Sequence, residues 1–177
     1  MHKQGKRFEV VLSGKTHKAE LVRKDKTTDL ALLKVDSSTK GLPLAAKSDL
    51  RVGQQVYALG FPLTFLLGEE PKFTSGMVNS LSGMQDDWGR FQFSAQVTFG
   101  NSGGALVNES GNVIGVVVSG IDGAPDVNYG IKANRVRAFL DEGSVILRDS
   151  PTGDKLTSEQ IYDHMKASTV KVITYPM

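Results

Sequence analysis

The sequence predicts an all-β protein, built as a sandwich or a pair of β-barrels, with two short helices near its C-terminus. Short runs of apolar and β-branched residues recur along the first 132 residues, separated by Gly, Asp and Asn turn residues. Strands at this spacing are typical of sandwiches and barrels. The two segments with helical features lie beyond residue 132.

The predicted strands fall into an N-terminal group and a central group. Residues 8–12 and 17–24 form a hairpin around a turn at Ser13 and Gly14, and residues 30–35 form a third, nearly all-apolar strand. After the polar residues 36–40, further strands are predicted at residues 56–61, 75–82, 91–97, 104–108, 113–120 and 127–132.

Two helices and a linker complete the chain. Residues 133–140 place Val136, Phe139 and Leu140 on one helical face. The second helix begins near Thr157, whose spacing to Gln160 fits a capping box. Residues 142–156 contain Pro and Gly and are predicted to be a linker.

Composition excludes several classes of site. The net charge is +2, and the basic residues of 15–18 and 23–26 lack an aromatic platform, so a solvated strand face is expected there rather than nucleic-acid binding. The absence of cysteine excludes disulfides, a cysteine nucleophile and thiolate metal sites; no metal or cofactor is expected. No signal-like or membrane-spanning apolar run is visible, and the compartment stays open.

The stretch VTFGNSGGAL, residues 97–106, carries the candidate chemistry. Ser102 lies between glycines, which allow the N–H groups of Gly100 and Ser102 to point into one space as an oxyanion hole. A tight turn between two strands explains the same residues equally well. The pentapeptide also matches the G-x-S-x-G elbow of α/β-hydrolases, but that motif needs a helix after the serine, and a β-hairpin follows here.

Asp29, in KTTDLALLKV, precedes a predicted strand 73 residues before Ser102, since 102 − 29 = 73. A carboxylate there could orient an imidazole, as the third member of a catalytic triad does. Taken alone, Asp29 is as well explained as a turn residue that caps the strand.

Together these stretches resemble one family. TDLALLKV, VYALGFPL, FTSGMVNSL, GNSGGALVNESGNVIGVV and NYGIKANRVRAFL occur in the order and spacing of the trypsin-like serine proteases of the HtrA (DegP-like) family. The resemblance covers about residues 8–141. It implies a chymotrypsin-like double β-barrel, with a peptidase domain at residues 1–141 that comprises a partial N-terminal barrel at 8–35, a C-terminal barrel at 42–132 and a helix at 133–141.

The resemblance also implies site residues and a substrate class. Ser102 would be the nucleophile and Asp29 the acid of the triad, and Gly100, Asn101 and Ser102 would form the oxyanion loop. A substrate strand would pair along the wall formed by Val127, Asn128, Tyr129 and Gly130, with Val97 and Thr98 near the side-chain pocket. The expected partner is a protein or peptide substrate, cleaved after small or medium apolar residues.

The catalytic histidine is where the sequence departs from the family. The alignment places that histidine at or just before Met1, so His2 is the only nearby candidate, and it lacks the family's surrounding apolar strand. His17 is expected on a strand surface and His164 on a solvated helix face. The chain alone is therefore expected to have little activity.

The tail at residues 157–177 resembles the helix and strand that open HtrA-type protease domains. It could begin a further domain, or supply a first strand to the N-terminal barrel in cis or by swapping with another copy; an ordinary helix and strand is the alternative. Three functions therefore stay open: an endopeptidase, an inactive module that binds extended peptides, and a partial domain that needs a partner segment.

Overall fold

A computed structural model describes residues 7–37, 39–46, 50–62, 68–121, 124–147 and 153–175. Ten strands and two α-helices follow one another along this part of the chain. The strands are β1 (Arg7–Leu12), β2 (Lys15–Asp25), β3 (Leu30–Val35), β4 (Gln55–Gly60), β5 (Lys72–Ser80), β6 (Arg90–Phe93), β7 (Ala105–Val107), β8 (Val113–Ile121), β9 (Ala124–Lys132) and β10 (Lys171–Tyr175). The helices are α1 (Ala133–Glu142) and α2 (Ser158–Ser168), and a 3-10 turn covers Met84–Asp86.

The central strands form a closed six-stranded barrel in the order β4-β5-β6-β9-β8-β7. Pairing between β4 and β7 closes it, with Tyr57 opposite Val107. Alternate residues of these strands point inward, because side chains alternate along a strand. The resulting core comprises Ala45, Val56, Ala58, Val78, Phe91, Phe93, Ala95, Leu106, Ile114 and Val117.

The N-terminal strands form a four-stranded sheet that does not close, in the order β10-β1-β2-β3. All three pairings are antiparallel. Residues paired directly across antiparallel strands share a face, which defines an inner face of mostly apolar residues. This inner face carries Phe8, Val10, Leu12, Lys15, His17, Ala19, Leu21, Leu33, Val35, Val172 and Thr174.

The C-terminal helices pack on opposite parts of the protein. Val136 and Phe139 of α1 are buried, and Arg23 of β2 donates a hydrogen bond to the Phe139 carbonyl (3.0 Å). Ile161 and Met165 of α2 are fully buried against the outside of the closed barrel. These contacts tie α1 to both sheets and α2 to the barrel.

The tail then crosses to the N-terminal sheet. β10 pairs with β1 over five residue pairs, from Arg7 opposite Tyr175 to Val11 opposite Lys171. Glu9 accepts hydrogen bonds from Arg7 and from the Tyr175 hydroxyl (2.8 Å). The Arg7 guanidinium also lies over the Tyr175 ring, 5.0 Å from its centroid. This polar cluster, Arg7, Glu9 and Tyr175, fixes the register of β10.

The predicted fold class is confirmed: the described residues are mostly β, with one closed barrel and an incomplete second sheet. The predicted capping box of α2 is present, since Thr157 Oγ1 accepts from the Gln160 N–H (3.3 Å) and Gln160 Oε1 accepts from the Thr157 N–H (2.9 Å). The linker's second half is held by the barrel, where the Leu156 N–H donates to the Glu109 carbonyl (2.8 Å).

Candidate active site

The loop that carries Ser102 packs tightly against the end of β4. Gly100 has a φ of +100°, and a Cβ there would lie 2.6 Å from the Phe61 carbonyl oxygen. A Cβ on Gly60 would lie 2.2 Å from Asn101 Oδ1. The glycines therefore let the loop backbone approach β4 closely, which explains why this segment cannot carry larger residues.

Asn101 is the buried anchor of this loop. Its backbone N–H donates to the Thr98 carbonyl (3.0 Å), and its carbonyl accepts from the Gly104 N–H (2.9 Å). Its side chain is 5% exposed, and Oδ1 has no hydrogen-bond partner among the described residues. Burial and the two backbone bonds fix the loop on either side of Ser102.

Ser102 presents its hydroxyl at the surface. The side chain is exposed, and Oγ donates to the Val118 carbonyl oxygen at 2.7 Å. The N–H groups of Gly100 and Ser102 donate to no acceptor within the described part of the chain. Two free N–H groups beside a hydroxyl are what an oxyanion hole requires.

A cavity of about 450 Å³ opens beside Ser102. The loop that carries Ser102 forms one wall and the α2–β10 tail forms the other. Its lining residues are Leu42, Gly60, Phe61, Gly100, Ser102, Gly103, Gly104, Ala105, Ser168, Thr169, Val170, Lys171 and Val172. The tail is thus part of the candidate site, which the sequence did not predict.

Asp29 lies at the start of β3, in the N-terminal sheet. Its φ is +59°, a left-handed conformation that Asp tolerates better than most residues. Asp25 shapes this turn by accepting from the Thr27 N–H (2.9 Å) and Thr28 Oγ1 (3.0 Å); these bonds, the Thr27 N–H first, lower the pKa of Asp25. The Asp29 carboxylate is exposed and has no hydrogen-bond or ion-pair partner among the described residues.

The described histidines do not contact Ser102. His17 is half-buried in β2, opposite Val10, on the inner face of the open sheet. His164 is exposed on α2, beside the turn at Gly111. His2 lies outside the described residues. The structure therefore brings no described imidazole to the Ser102 hydroxyl, whose acceptor is a backbone carbonyl.

The residues predicted as a substrate wall lie in β9. β9 is paired on both sides, with β6 and with β8, at Asn128, Tyr129 and Gly130. All three are buried, and Asn128 Nδ2 donates to the Ala95 carbonyl (3.0 Å). Only the half-buried Val127 retains some exposure, so this wall has no free edge for a substrate strand.

The free edge beside Ser102 belongs to β8 instead. Val117 still exchanges hydrogen bonds with Gly103 and Gly104. From Ser119 onward, β8 pairs only with β9 within the described residues. The sequence did not reveal this edge, because residues 115–120 (GVVVSG) show no polar–apolar alternation that distinguishes the part paired on both sides from the part paired on one side. Of the predicted pocket residues, Thr98 is exposed, whereas Val97 packs partly against the barrel core.

No group of three or more His, Asp or Glu side chains is placed to hold a metal ion in the described ranges. Among the helices that the structure describes, none is long and apolar enough to span a bilayer.

Comparison with known proteins identifies the family. A model of the trypsin-like peptidase domain matches residues 3–116. The protein y4bJ of Sinorhizobium fredii is 39% identical over 132 residues, which are 69% of this chain and 21% of that protein. The serine protease HTRA4 of Homo sapiens is 37% identical over 145 residues, which are 76% of this chain and 29% of that protein.

A solved structure agrees with both sequence matches. The crystal structure of the serine endoprotease from Yersinia pestis superposes with a TM-score of 0.67 and 27% identity, covering 77% of this chain and 48% of that one. The chain spans 21% and 29% of the length of the two curated relatives. The family match over residues 3–116 and the likeness to HtrA proteins show that the chain belongs to the trypsin-like peptidases and is HtrA-like.

Proposed function

We propose that this chain is the nucleophile-bearing part of an HtrA-like serine endopeptidase that forms an acyl-enzyme at Ser102. One observation carries the proposal. At the mouth of a single cavity, the exposed Ser102 hydroxyl lies in the same loop as the N–H groups of Gly100 and Ser102, which have no acceptor among the described residues.

The proposed chemistry follows from these groups. A base takes the proton from Ser102 Oγ as Oγ attacks the carbonyl carbon of the scissile peptide bond. The N–H groups of Gly100 and Ser102 then stabilise the negative oxygen of the tetrahedral intermediate. The protonated base gives its proton to the leaving amine, the C–N bond breaks, and water hydrolyses the resulting Ser102 ester by the reverse sequence of proton transfers.

The base in this proposal is an imidazole from outside the described residues. Among the described residues, no hydrogen bond joins His17 or His164 to Ser102 Oγ, which donates to the Val118 carbonyl. Loss of the base from a Ser-His-Asp unit lowers kcat by roughly 10⁶ in the reference case. Asp29 is proposed as the carboxylate that orients the imidazole, since it is exposed and uncommitted to any partner that the structure describes.

The proposed substrate is an extended protein or peptide chain that pairs with the free edge of β8 at residues 119–121. Main-chain pairing of this kind supplies affinity without regard to sequence, and side-chain pockets supply specificity. Val97 and Thr98 are proposed to line the side-chain pocket. Because residues 96–99 include no acidic residue that could pair with a substrate Lys or Arg, we propose cleavage after small or medium apolar residues.

Chemical rescue by free imidazole tests the proposal. The chain is incubated with a fluorophosphonate at increasing imidazole concentrations, and the adduct on Ser102 is measured by mass spectrometry. Labelling that rises with imidazole and is absent in Ser102→Ala supports the assignment, because only an assembled oxyanion hole makes this hydroxyl selectively reactive. Labelling no faster than at other exposed serines, Ser13 and Ser144, contradicts it.

A second candidate function is a peptide-binding module without catalysis. The free edge of β8 favours it, because strand addition needs no base. In that case extended apolar peptides bind the chain and its Ser102→Ala variant equally, while imidazole leaves Ser102 unlabelled.

A further inference from the structure

The turn between β5 and β6 exposes several large apolar side chains. Leu81, Met84 and Trp88 are 37%, 56% and 72% exposed. Single apolar residues on a surface are ordinary, whereas several within one turn mark a surface that a partner covers. Met and Trp are also enriched where proteins contact one another. Residues 81–90 are therefore a candidate contact surface.

Hydrogen bonds hold this turn in an unfavourable backbone conformation. Gln85 and Asp86 have φ values of +55° and +58°, in the left-handed region that residues other than glycine seldom adopt. The Asp87 carbonyl accepts from the Gly83 N–H (2.8 Å), and the Asp87 carboxylate accepts from the Gly89 N–H (2.8 Å). Strained backbone of this kind clusters at functional sites. Because the turn is already ordered, a partner would bind it without the entropy cost of ordering a loop.

Two cations lie against Trp88 and Gly89. Lys132 Nζ is 5.9 Å from the centroid of the Trp88 ring, and a Cβ on Gly89 would lie 2.9 Å from Arg135 Nε. Within the described part of the chain, neither cation forms an ion pair. Burial lowers the pKa of Lys132, and the charge of Asp87 only partly offsets this effect. Lys132 has thus lost some of its hydration without gaining an ion-pair partner, which an acidic group of a bound molecule would supply.

A cavity of about 240 Å³ adjoins this turn. Its apolar lining residues include Leu50, Leu81 and Ile114, and Lys132 lines it too. Sites that enclose a small molecule have volumes of about 300–1,000 Å³, so this cavity suits an apolar side chain of a larger partner. None of its lining residues lines the cavity beside Ser102.

We propose that residues 81–90 together with Lys132 and Arg135, here named the Trp88 surface, form a docking site for an acidic, apolar segment of another protein. An apolar side chain of that segment enters the cavity beside Leu81. Its Asp or Glu side chains lie over the Trp88 ring and pair with Lys132 and Arg135. Cation and aromatic groups together are typical of the residues that dominate binding energy at protein interfaces.

The charges on the Trp88 surface decide which partner it fits. The Asp87 carboxylate already forms an ion pair with Arg90 (3.4 Å), so it is not free to pair with Lys132 or Arg135. A neutral or basic segment would bury these two cations without a counter-charge, which is unfavourable. A second copy of the chain, docked through the same surface, would bring like charges together, because a two-fold interface joins identical patches.

Selection from a peptide library tests the proposal. Short random peptides are selected by display against the chain after depletion on its Trp88→Ala variant, and binding of the enriched peptides is measured by fluorescence anisotropy. We expect an apolar residue close to Asp or Glu in the enriched sequences. Binding should weaken at high salt, because salt screens exposed charges. NMR shift changes on binding should map to residues 81–90 and 132–135.

Two substitutions and two matched controls locate the site. Trp88→Ala removes the aromatic surface, and Lys132→Met removes a charge while keeping an apolar stem. Each should weaken binding about 10-fold, as loss of a central interface residue does. Ile146→Ala, at a 96% exposed position outside the Trp88 surface, and Lys34→Met, exposed on β3, should bind like the unmodified chain. Thermal melting checks that every variant keeps the fold.

Any of four results overturns the inference. These are a selection that enriches no peptide, enriched peptides without acidic residues, undiminished binding by Lys132→Met, or NMR shift changes on the β8 edge at residues 119–121, which would make the peptides substrates. A dimer that Trp88→Ala dissociates would make a second copy the occupant and also contradict the proposal. The result is independent of imidazole rescue at Ser102, because the Trp88 surface and the Ser102 cavity share no residue.

Discussion

The Ser102 hydroxyl donates a hydrogen bond of 2.7 Å to the carbonyl oxygen of Val118, the residue before the free edge of β8 begins. The bond joins the loop that carries Ser102 to β8, the strand whose edge is proposed to pair with a substrate. The hydroxyl proton that a base would have to remove is engaged in this bond. The Ser102 hydroxyl must therefore rotate away from Val118 before it can donate to an imidazole.

The first prediction follows from this bond. Because Ser102 is exposed and a neutral hydrogen bond contributes about 0.5–1.5 kcal/mol net, Ser102→Ala should lower the free energy of unfolding by no more than about 1.5 kcal/mol. Urea denaturation of both proteins measures it. A much larger loss would mean that Ser102 serves chiefly as a structural turn residue.

The second prediction concerns Gly60 and Asn101. In Gly60→Ala the new methyl group would lie 2.2 Å from Asn101 Oδ1, so the Asn101 side chain must move and carry the loop around Ser102 with it. We expect imidazole-dependent labelling of Ser102 to fall at least 10-fold, and the stability to drop by about 1–3 kcal/mol.

Two further variants isolate that clash. Adding Asn101→Ala to Gly60→Ala removes the colliding atom, and labelling should recover in part. Gly41→Ala, where a Cβ meets nothing within 4 Å, is the control and should behave like the unmodified chain. Equal labelling by Gly60→Ala and Gly41→Ala would show that the packing of Asn101 does not shape the site.

The sequence predicted the positions of the barrel strands well, but it did not predict which strand edges are unpaired. Strand alternation and glycine turns located β4 to β9, because each strand buries one face in a single core. The capping box located α2 through a local rule. The free edge of β8 and the pairing of residues 128–130 on both sides depend on which strands are neighbours. Which strands are neighbours is determined by pairing between distant parts of the chain, and the local sequence patterns used here contain no information about it.

The third prediction concerns the attachment of the tail. Ile161 is fully buried against the barrel, beside Tyr57 and Leu59. Ile161→Ala should lower the free energy of unfolding by about 2–5 kcal/mol, as large-to-small core changes do, and should speed amide exchange in β10. Asp163→Ala, exposed on the same helix, is the control and should change little. Unchanged stability in Ile161→Ala would mean that the tail is not an integral part of the fold.

The fourth prediction is a dependence of the β10 pairing on pH. Hydrogen bonds from Arg7, and then from Tyr175, lower the pKa of Glu9 below its usual value. The charged form therefore favours the folded sheet at pH values above the ordinary glutamate pKa of about 4.3. This contribution is lost as the pH falls through the lowered pKa, when Glu9 takes up a proton.

Amide protection factors measured by NMR between pH 6 and pH 3 test this dependence. Protection in β10 should decrease on acidification relative to that in β8. In Glu9→Gln it should be lower at pH 6 and nearly independent of pH, because the amide carries no titratable charge. A β10 whose protection follows that of β8 at every pH would show that Glu9 does not hold the strand.

The last prediction separates the two roles of Asp29. The residue has a φ of +59°, which Asn tolerates as readily as Asp, so Asp29→Asn should leave melting of the chain unchanged. Joined to the histidine-bearing segment of a related HtrA-like protease, the chain should cleave casein. In this chimera, Asp29→Asn should lower kcat about 10⁴-fold, because an amide holds the imidazole in the wrong tautomer.

Asp25→Asn, which alters another residue of the same turn, is the control. It should lower the stability of the fold by weakening the bonds to Thr27 and Thr28, and it should change kcat little. Full activity of the Asp29→Asn chimera would show that Asp29 acts only as a turn residue and has no part in catalysis.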